Sequence, residues 1–257
     1  MKRTEMTAYI AGENSTGVAV IICPGGSYCY LGMNGEGHRV AKWLQENGIS
    51  AFVLRYRVGM YGNRYPAMIQ DLQRAIQIVR EDYADRGVVP EKVGVMGFSA
   101  GGHLAGTAAT YFETDYLESA GIQTRVSLRP AFVAMIYPVV SMTDSIVHKK
   151  SRRNLLGRHY TEDLRHRMSL EQNVRQDMPP VFLIHCRRDR TVDCRNAICY
   201  QQALTAKQVP CAFTLYDEKG HGFGINCKHI EKHATAWTEI FIPWLQEILA
   251  DTFVQAK

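Results

Sequence analysis

One run of the chain has the residue types and spacing for nucleophilic chemistry: Gly97-Phe98-Ser99-Ala100-Gly101-Gly102-His103. A serine flanked by glycines two positions away on either side, after the β-rich 93–96 and before a run of small residues, reads as a sharp strand-to-helix turn. Glycines at 97 and 101 allow that turn to tighten, and the small neighbours leave the Ser99 hydroxyl uncovered at a helix N-terminus. Serine is a weak nucleophile at neutral pH, so it needs a base in hydrogen-bond reach and an acid to orient the base.

In strand–turn–helix sites of this kind the chain order is serine, acid, histidine. Of nine histidines, His221 alone sits in a glycine-rich turn, Gly220-His221-Gly222-Phe223-Gly224, just after the last strand-like run, and is the expected base. Asp189, after the strand-like 181–185, is the expected acid. Asp193 is the rival, placed to cap the helix expected from about 195. His103 and His185 read as structural. An oxyanion needs amide donors, expected from Ala100 and from Gly26 and Ser27 in the turn Pro24-Gly25-Gly26-Ser27-Tyr28. Tyr28 and Tyr137 complete the candidate set as substrate contacts.

The elements that must carry these residues alternate along the chain. Strands are expected at 18–23, 51–54, 93–96, 132–137, 181–185 and 212–216, mostly as continuous apolar runs of the kind buried on both faces in parallel sheets. Helices are expected at 37–47, 67–83, 101–111, 195–207 and 233–251, with a break near Ile242 because Pro243 removes a hydrogen bond and crowds the preceding turn. The pattern implies one α/β domain over residues 1–257, a mostly parallel sheet with helices on both faces. Its long segment at 140–180 is expected to behave as a lid-like insertion.

Composition narrows the function. The 257 residues are 46% apolar and 21% charged, which excludes disordered, collagen-like and coiled-coil classes. The longest apolar run, 131–140, contains Pro138 and is half the length a spanning helix needs, so no membrane role is expected. The N-terminal residues lack the apolar core of a signal peptide, and the seven cysteines have no regular spacing; both favour the cytoplasm and free thiols. The net charge of +5 is matched by 148–167 alone, where seven Lys/Arg face Glu162 and Asp163. With Tyr160 the one aromatic among them, nucleic acid is not the expected partner; a solvated surface is, or contact with an acidic group on a substrate. Cys227, His229 and His233 form a weak zinc candidate without H-E-x-x-H, and no dinucleotide or Walker motif is present, so neither metal nor cofactor is expected. A homodimer is compatible with the sequence.

Taken together, several ordered motifs resemble one family. They are Cys23-Pro24-Gly25-Gly26-Ser27-Tyr28, Glu36-Gly37 leading to Ala41-x-Trp43-Leu44, Val53-Leu54-Arg55-Tyr56-Arg57, Gln70-Asp71-x-x-Arg74-Ala75-Ile76, Met96 to Leu104, Ile136-Tyr137-Pro138, Asn154-Leu155-Leu156-Gly157 and Pro179-Pro180-Val181-Phe182. Over residues 15–250 the chain is similar to the acetyl xylan esterase-like branch of the α/β-hydrolases. That resemblance implies a carboxylesterase releasing small acyl groups, typically acetyl, from sugar hydroxyls such as those of xylan or xylo-oligosaccharides, with Ser99, Asp189 and His221 as nucleophile, acid and base. The chain departs from the family pattern at Ser27 (usually glycine), Arg188 (usually aspartate) and Asp193 (usually proline). The competing readings are an amide-cleaving or peptidase-like hydrolase and a non-catalytic binding protein on the same fold.

Overall fold

A computed structural model describes residues 4–143, 145–225 and 236–254. Seven strands form one sheet: β1 (Glu5–Tyr9), β2 (Ala19–Cys23), β3 (Ser50–Arg55), β4 (Val93–Phe98), β5 (Val133–Ile136), β6 (Val181–Cys186) and β7 (Cys211–Tyr216). Their spatial order is β1-β3-β2-β4-β5-β6-β7. All neighbours are parallel except β1, which pairs antiparallel with β3 from Glu5 opposite Arg55 to Tyr9 opposite Ala51.

The side-chain alternation of the central strands builds two apolar layers. Ala19, Ile21 and Cys23 face one layer, with α2 (Ala67–Asp82), α3 (Ala100–Thr110) and α6 (Arg195–Ala206). Val20 and Ile22 face the other, with α1 (Arg39–Glu46) and α7 (Trp237–Val254). Burial on both faces is why these strands are continuous apolar runs.

Two features depart from the expectations. Strand β1 was not foreseen: its mixed, largely exposed residues, EMTAY, resemble an ordinary polar segment and gain strand geometry only by pairing with β3. Helix α7 runs unbroken through Pro243, because Trp237, Phe241, Leu245 and Leu249 dock one stripe on the sheet while the proline costs a single backbone bond. The 140–180 segment carries α4 (Lys149–Leu156) and α5 (Glu162–Arg167), and it buries Leu155, Leu156, Met168 and Leu170 in the first layer.

The chain moves from β2 to β3 on one side and then to β4 on the other. A cleft outside the C-terminal ends of the strands at this reversal is where open α/β sheets bind ligands. Here the loop after β2, the turn after β4, and the loops after β6 and β7 meet.

Candidate active site

Ser99 sits between β4 and α3 at φ 52°, ψ −117°, a conformation that side chains rarely adopt. The turn is locked by close packing: a Cβ on Gly97 would collide with the Gly101 carbonyl, and one on Gly101 with the Cys23 carbonyl at the end of β2. The Ser99 backbone is held from β5 by its N–H donating to the Ile136 carbonyl at 3.0 Å.

Ser99 Oγ lies 2.9 Å from His221 Nε2, and His221 Nδ1 lies 2.7 Å from Asp189 Oδ2. An ionised carboxylate only accepts, so Nδ1 carries the proton and Nε2 is left to accept from the serine hydroxyl. Asp189 is fixed from the other side by the Thr191 and Val192 amides, which donate to Oδ1 at 2.7 and 3.0 Å. A second imidazole, His185 Nε2, approaches Asp189 Oδ2 at 3.2 Å and the Val192 carbonyl at 3.1 Å. Burial works to raise the Asp189 pKa, but hydrogen bonds from His185 and His221 outweigh it and hold the carboxyl well below the usual carboxylate range. The rival Asp193 accepts from the Arg195 amide at 2.9 Å and pairs with its guanidinium, at the start of α6.

The loop after β2 turns sharply, with Gly26, Ser27 and Tyr28 all at positive φ. Gly25 N–H is committed to Glu36 Oε2 at 2.8 Å, whereas the amides of Gly26, Ser27 and Ala100 have no acceptor recorded among the described residues. Ser27 therefore occupies a left-handed position that glycine would take without strain. Asn154 Nδ2 donates to the Ser27 carbonyl at 2.9 Å, which ties α4 to the loop.

A cleft of about 590 Å³ opens over Ser99 and His221, walled by Gly26, Ser27, Tyr30, Leu31, Glu36 and Thr191. Neither tyrosine expected to meet substrate lines it. Tyr28 is fully buried, with its hydroxyl 2.8 Å from His103 Nδ1. Because His103 Nε2 donates to the Met168 carbonyl at 2.8 Å, its Nδ1 accepts from Tyr28. Tyr137 is also fully buried: its hydroxyl donates to Glu36 Oε1 at 2.8 Å and accepts from the Gly224 amide at 3.0 Å. Both therefore brace the site from behind, a correction forced by burial of their hydroxyls.

Sequence reasoning missed Glu36 as a site residue. Its buried carboxylate joins the loop after β2, through Gly25, to the loop carrying His221, through Tyr137. The Tyr137 ring also lies 4.8 Å from the His221 ring. Burial raises the Glu36 pKa, opposed by the bonds from Tyr137 and Gly25 and by the electrostatic influence of the nearby His221 ring. Its motif was visible, but its partners stand 11 and 101 residues away.

Lys150 lies 5.7 Å over the ring of Tyr30 at the cleft wall. Elsewhere in the basic segment, Arg167 stacks on Tyr111, and Arg152 donates to the Met142 carbonyl and lies over Tyr160. Arg188 ties the Asp189 loop to the strand β7 exit, donating to the Asp217 carbonyl at 2.7 Å. Among the described residues no His/Cys/Asp/Glu group has a metal-binding arrangement and no helix is long and apolar enough to cross a membrane; Cys227, His229 and His233 lie outside them.

Comparison with known proteins places these features in context. The family described as BD-FAE matches residues 8–204. The crystal structure of an acetyl ester-xyloside bifunctional hydrolase from Caldicellulosiruptor lactoaceticus superposes with a TM-score of 0.87 at 32% identity, covering 95% of this chain and 88% of that one. An acetylxylan esterase of Xylanibacter ruminicola is 32% identical over 226 residues, 86% of this chain and 44% of that protein. An endo-1,4-beta-xylanase B of Butyrivibrio fibrisolvens is 30% identical over 85% of this chain and 34% of that protein. The chain thus spans less than half the length of these two curated relatives.

Proposed function

The chain belongs to the BD-FAE family of α/β-hydrolases, and from that premise we propose that it is a serine carboxylesterase removing short acyl groups, acetyl in particular, from carbohydrate esters such as those of xylan or xylo-oligosaccharides. The observation that carries this reading is the line Ser99 Oγ–His221 Nε2–His221 Nδ1–Asp189 Oδ2, with both contacts under 3 Å, at the floor of an open cleft. The likeness to the Caldicellulosiruptor acetyl ester-xyloside hydrolase and the Xylanibacter acetylxylan esterase supports the choice of carbohydrate esters as the substrate class.

In this reading His221 Nε2 takes the Ser99 proton as Oγ bonds to the acyl carbon, and the carbonyl electrons move onto an oxyanion held by the Gly26, Ser27 and Ala100 amides. The oxyanion collapses, the carbon–alkoxy bond breaks, and the sugar hydroxyl leaves with the proton from His221. Water then attacks the acyl-Ser99 ester, giving up a proton to His221, and releases acetate with Ser99 restored. Asp189 stays ionised throughout and stabilises the imidazolium.

The test is hydrolysis of p-nitrophenyl esters from acetate to octanoate by wild type and Ser99→Ala. A steep fall beyond acetate or propionate, with a loss in the variant of about a millionfold or to background, is expected. Full activity of Ser99→Ala would overturn the site. A wild type inactive on every ester would move the assignment to amide cleavage or binding.

A further inference from the structure

Among the described residues five large hydrophobic side chains are exposed, and three of them lie together: Tyr30 at 55%, Met60 at 59% and Tyr61 at 79%. They line a trough of about 660 Å³ with Leu31, Val58 and Asn63. Tyr30 and Leu31 are also walls of the Ser99 cleft, so the two depressions share a side.

The turn presenting Met60 and Tyr61, Gly59–Tyr61, is anchored to the loop after β2 and braced by the residues that follow it. Gly59 N–H donates to the Tyr28 carbonyl at 2.6 Å, Arg64 Nη1 to the Gly59 carbonyl at 2.8 Å, and Asn63 Nδ2 to the Val58 carbonyl at 3.1 Å. The backbone that presents the two exposed side chains is thereby held in a fixed relation to the loop beside Ser99. Preorganised apolar faces next to a reaction site bind ligand at little ordering cost.

The lining also discriminates among ligands. Both arginines of the lining are paired, Arg57 with Asp71 at 2.9 Å and Arg55 with Glu5 at 3.5 Å, and the neighbouring Lys150 lies 5.7 Å over the Tyr30 ring rather than in the lining itself. With ion pairs in its wall and an open mouth, it does not suit a fatty acyl chain, which needs an enclosed apolar slot. A neutral pyranose ring suits it: its flat C–H face packs on aromatic and thioether surfaces, while its equatorial hydroxyls reach a polar rim.

We propose that the Tyr30–Met60–Tyr61 trough is a glycosyl subsite, holding a sugar unit of the alcohol part of the ester next to the unit whose acyl group lies at Ser99. This rests on the carbohydrate-ester reading above and adds to it a preference for acylated oligosaccharides over acylated monosaccharides.

The experiment compares wild type, Tyr61→Ala and Tyr61→Phe on p-nitrophenyl acetate, monoacetylated xylose and monoacetylated xylotetraose. Tyr61→Ala is expected to raise KM for the tetraose up to about tenfold, several times more than for the two smaller substrates, while Tyr61→Phe restores the wild-type value. Equal losses on all three substrates, or no change on the tetraose, would overturn the subsite. A wild type that cleaves p-nitrophenyl acetate but no acetylated sugar refutes the carbohydrate-ester reading instead. Calorimetric titration of Ser99→Ala with unacetylated xylohexaose then decides the subsite: saturable binding that weakens on adding Tyr61→Ala supports it, and no binding overturns it.

Discussion

In the proposed mechanism, single atoms of Asp189 set the chemistry. Its Oδ1 is occupied by two backbone donors, so an asparagine there must keep its carbonyl oxygen on the Thr191 and Val192 amides and turn its NH₂ toward His221. Nδ1 would then have to accept, leaving Nε2 protonated and unable to take the Ser99 proton. Asp189→Asn is expected to lower kcat on p-nitrophenyl acetate by about a thousand- to ten-thousandfold with little change in KM; a loss under tenfold would remove Asp189 from the mechanism. Glu36 acts one step further out, through Gly25 and Tyr137. A glutamine retains one acceptor and loses the other, so Glu36→Gln loosens one of the two loops. We expect kcat to fall about ten- to a hundredfold, the scale of a misplaced reacting group, while KM holds; a changed KM at constant kcat would place Glu36 in substrate binding instead.

Secondary-structure elements meet the site end-on, and their spacing leaves no slack. Helix α3 approaches the end of β2 so closely that a methyl group at Gly101 would strike the Cys23 and Pro24 carbonyls, both backbone atoms. Gly101→Ala must push α3 away from the Pro24–Tyr28 loop and separate the Ala100 amide from those of Gly26 and Ser27. The expected cost is about 1–3 kcal/mol in denaturant unfolding, together with esterase activity reduced more than the folded fraction. Wild-type stability would show that the helix can shift without strain. The α4 helix contributes through Asn154 on the Ser27 carbonyl, giving a strained loop a partner 127 residues distant.

The whole molecule carries a buried imidazole whose titration reaches its stability. His103 is completely buried, and burial lowers its pKa to about 4, opposed by its bond to the Met168 carbonyl. The unfolded chain therefore takes up this proton first as pH falls from about 6.5 to about 4, and the folded state loses stability across that window. The contribution is at most about 1.4 kcal/mol per pH unit. Denaturant unfolding at pH 5 and 7 should show wild type losing more stability than His103→Gln, whose side chain can keep an acceptor for Tyr28 and a donor for Met168. Equal losses in the two proteins would show that His103 does not carry this dependence.

What the sequence by itself determined is whatever local chemistry and periodicity encode. The turn at Ser99 needs its glycines within a few residues, and central strands buried on both faces must be apolar throughout, so Ser99, the alternation of elements and six strands were legible. The approach of His221 and Asp189 to that serine was expected because each loop leaves a strand end pointing at the same edge of the sheet. Tertiary structure alone decided the rest. The β1 strand exists through pairing with β3, α7 persists through Pro243 because its apolar stripe is docked, and Tyr28 and Tyr137 turn inward to His103 and Glu36. Hydrogen bonds spanning 75 and 101 residues leave no periodic trace in the chain, since only the assembled sheet and its loops bring those partners within 3 Å.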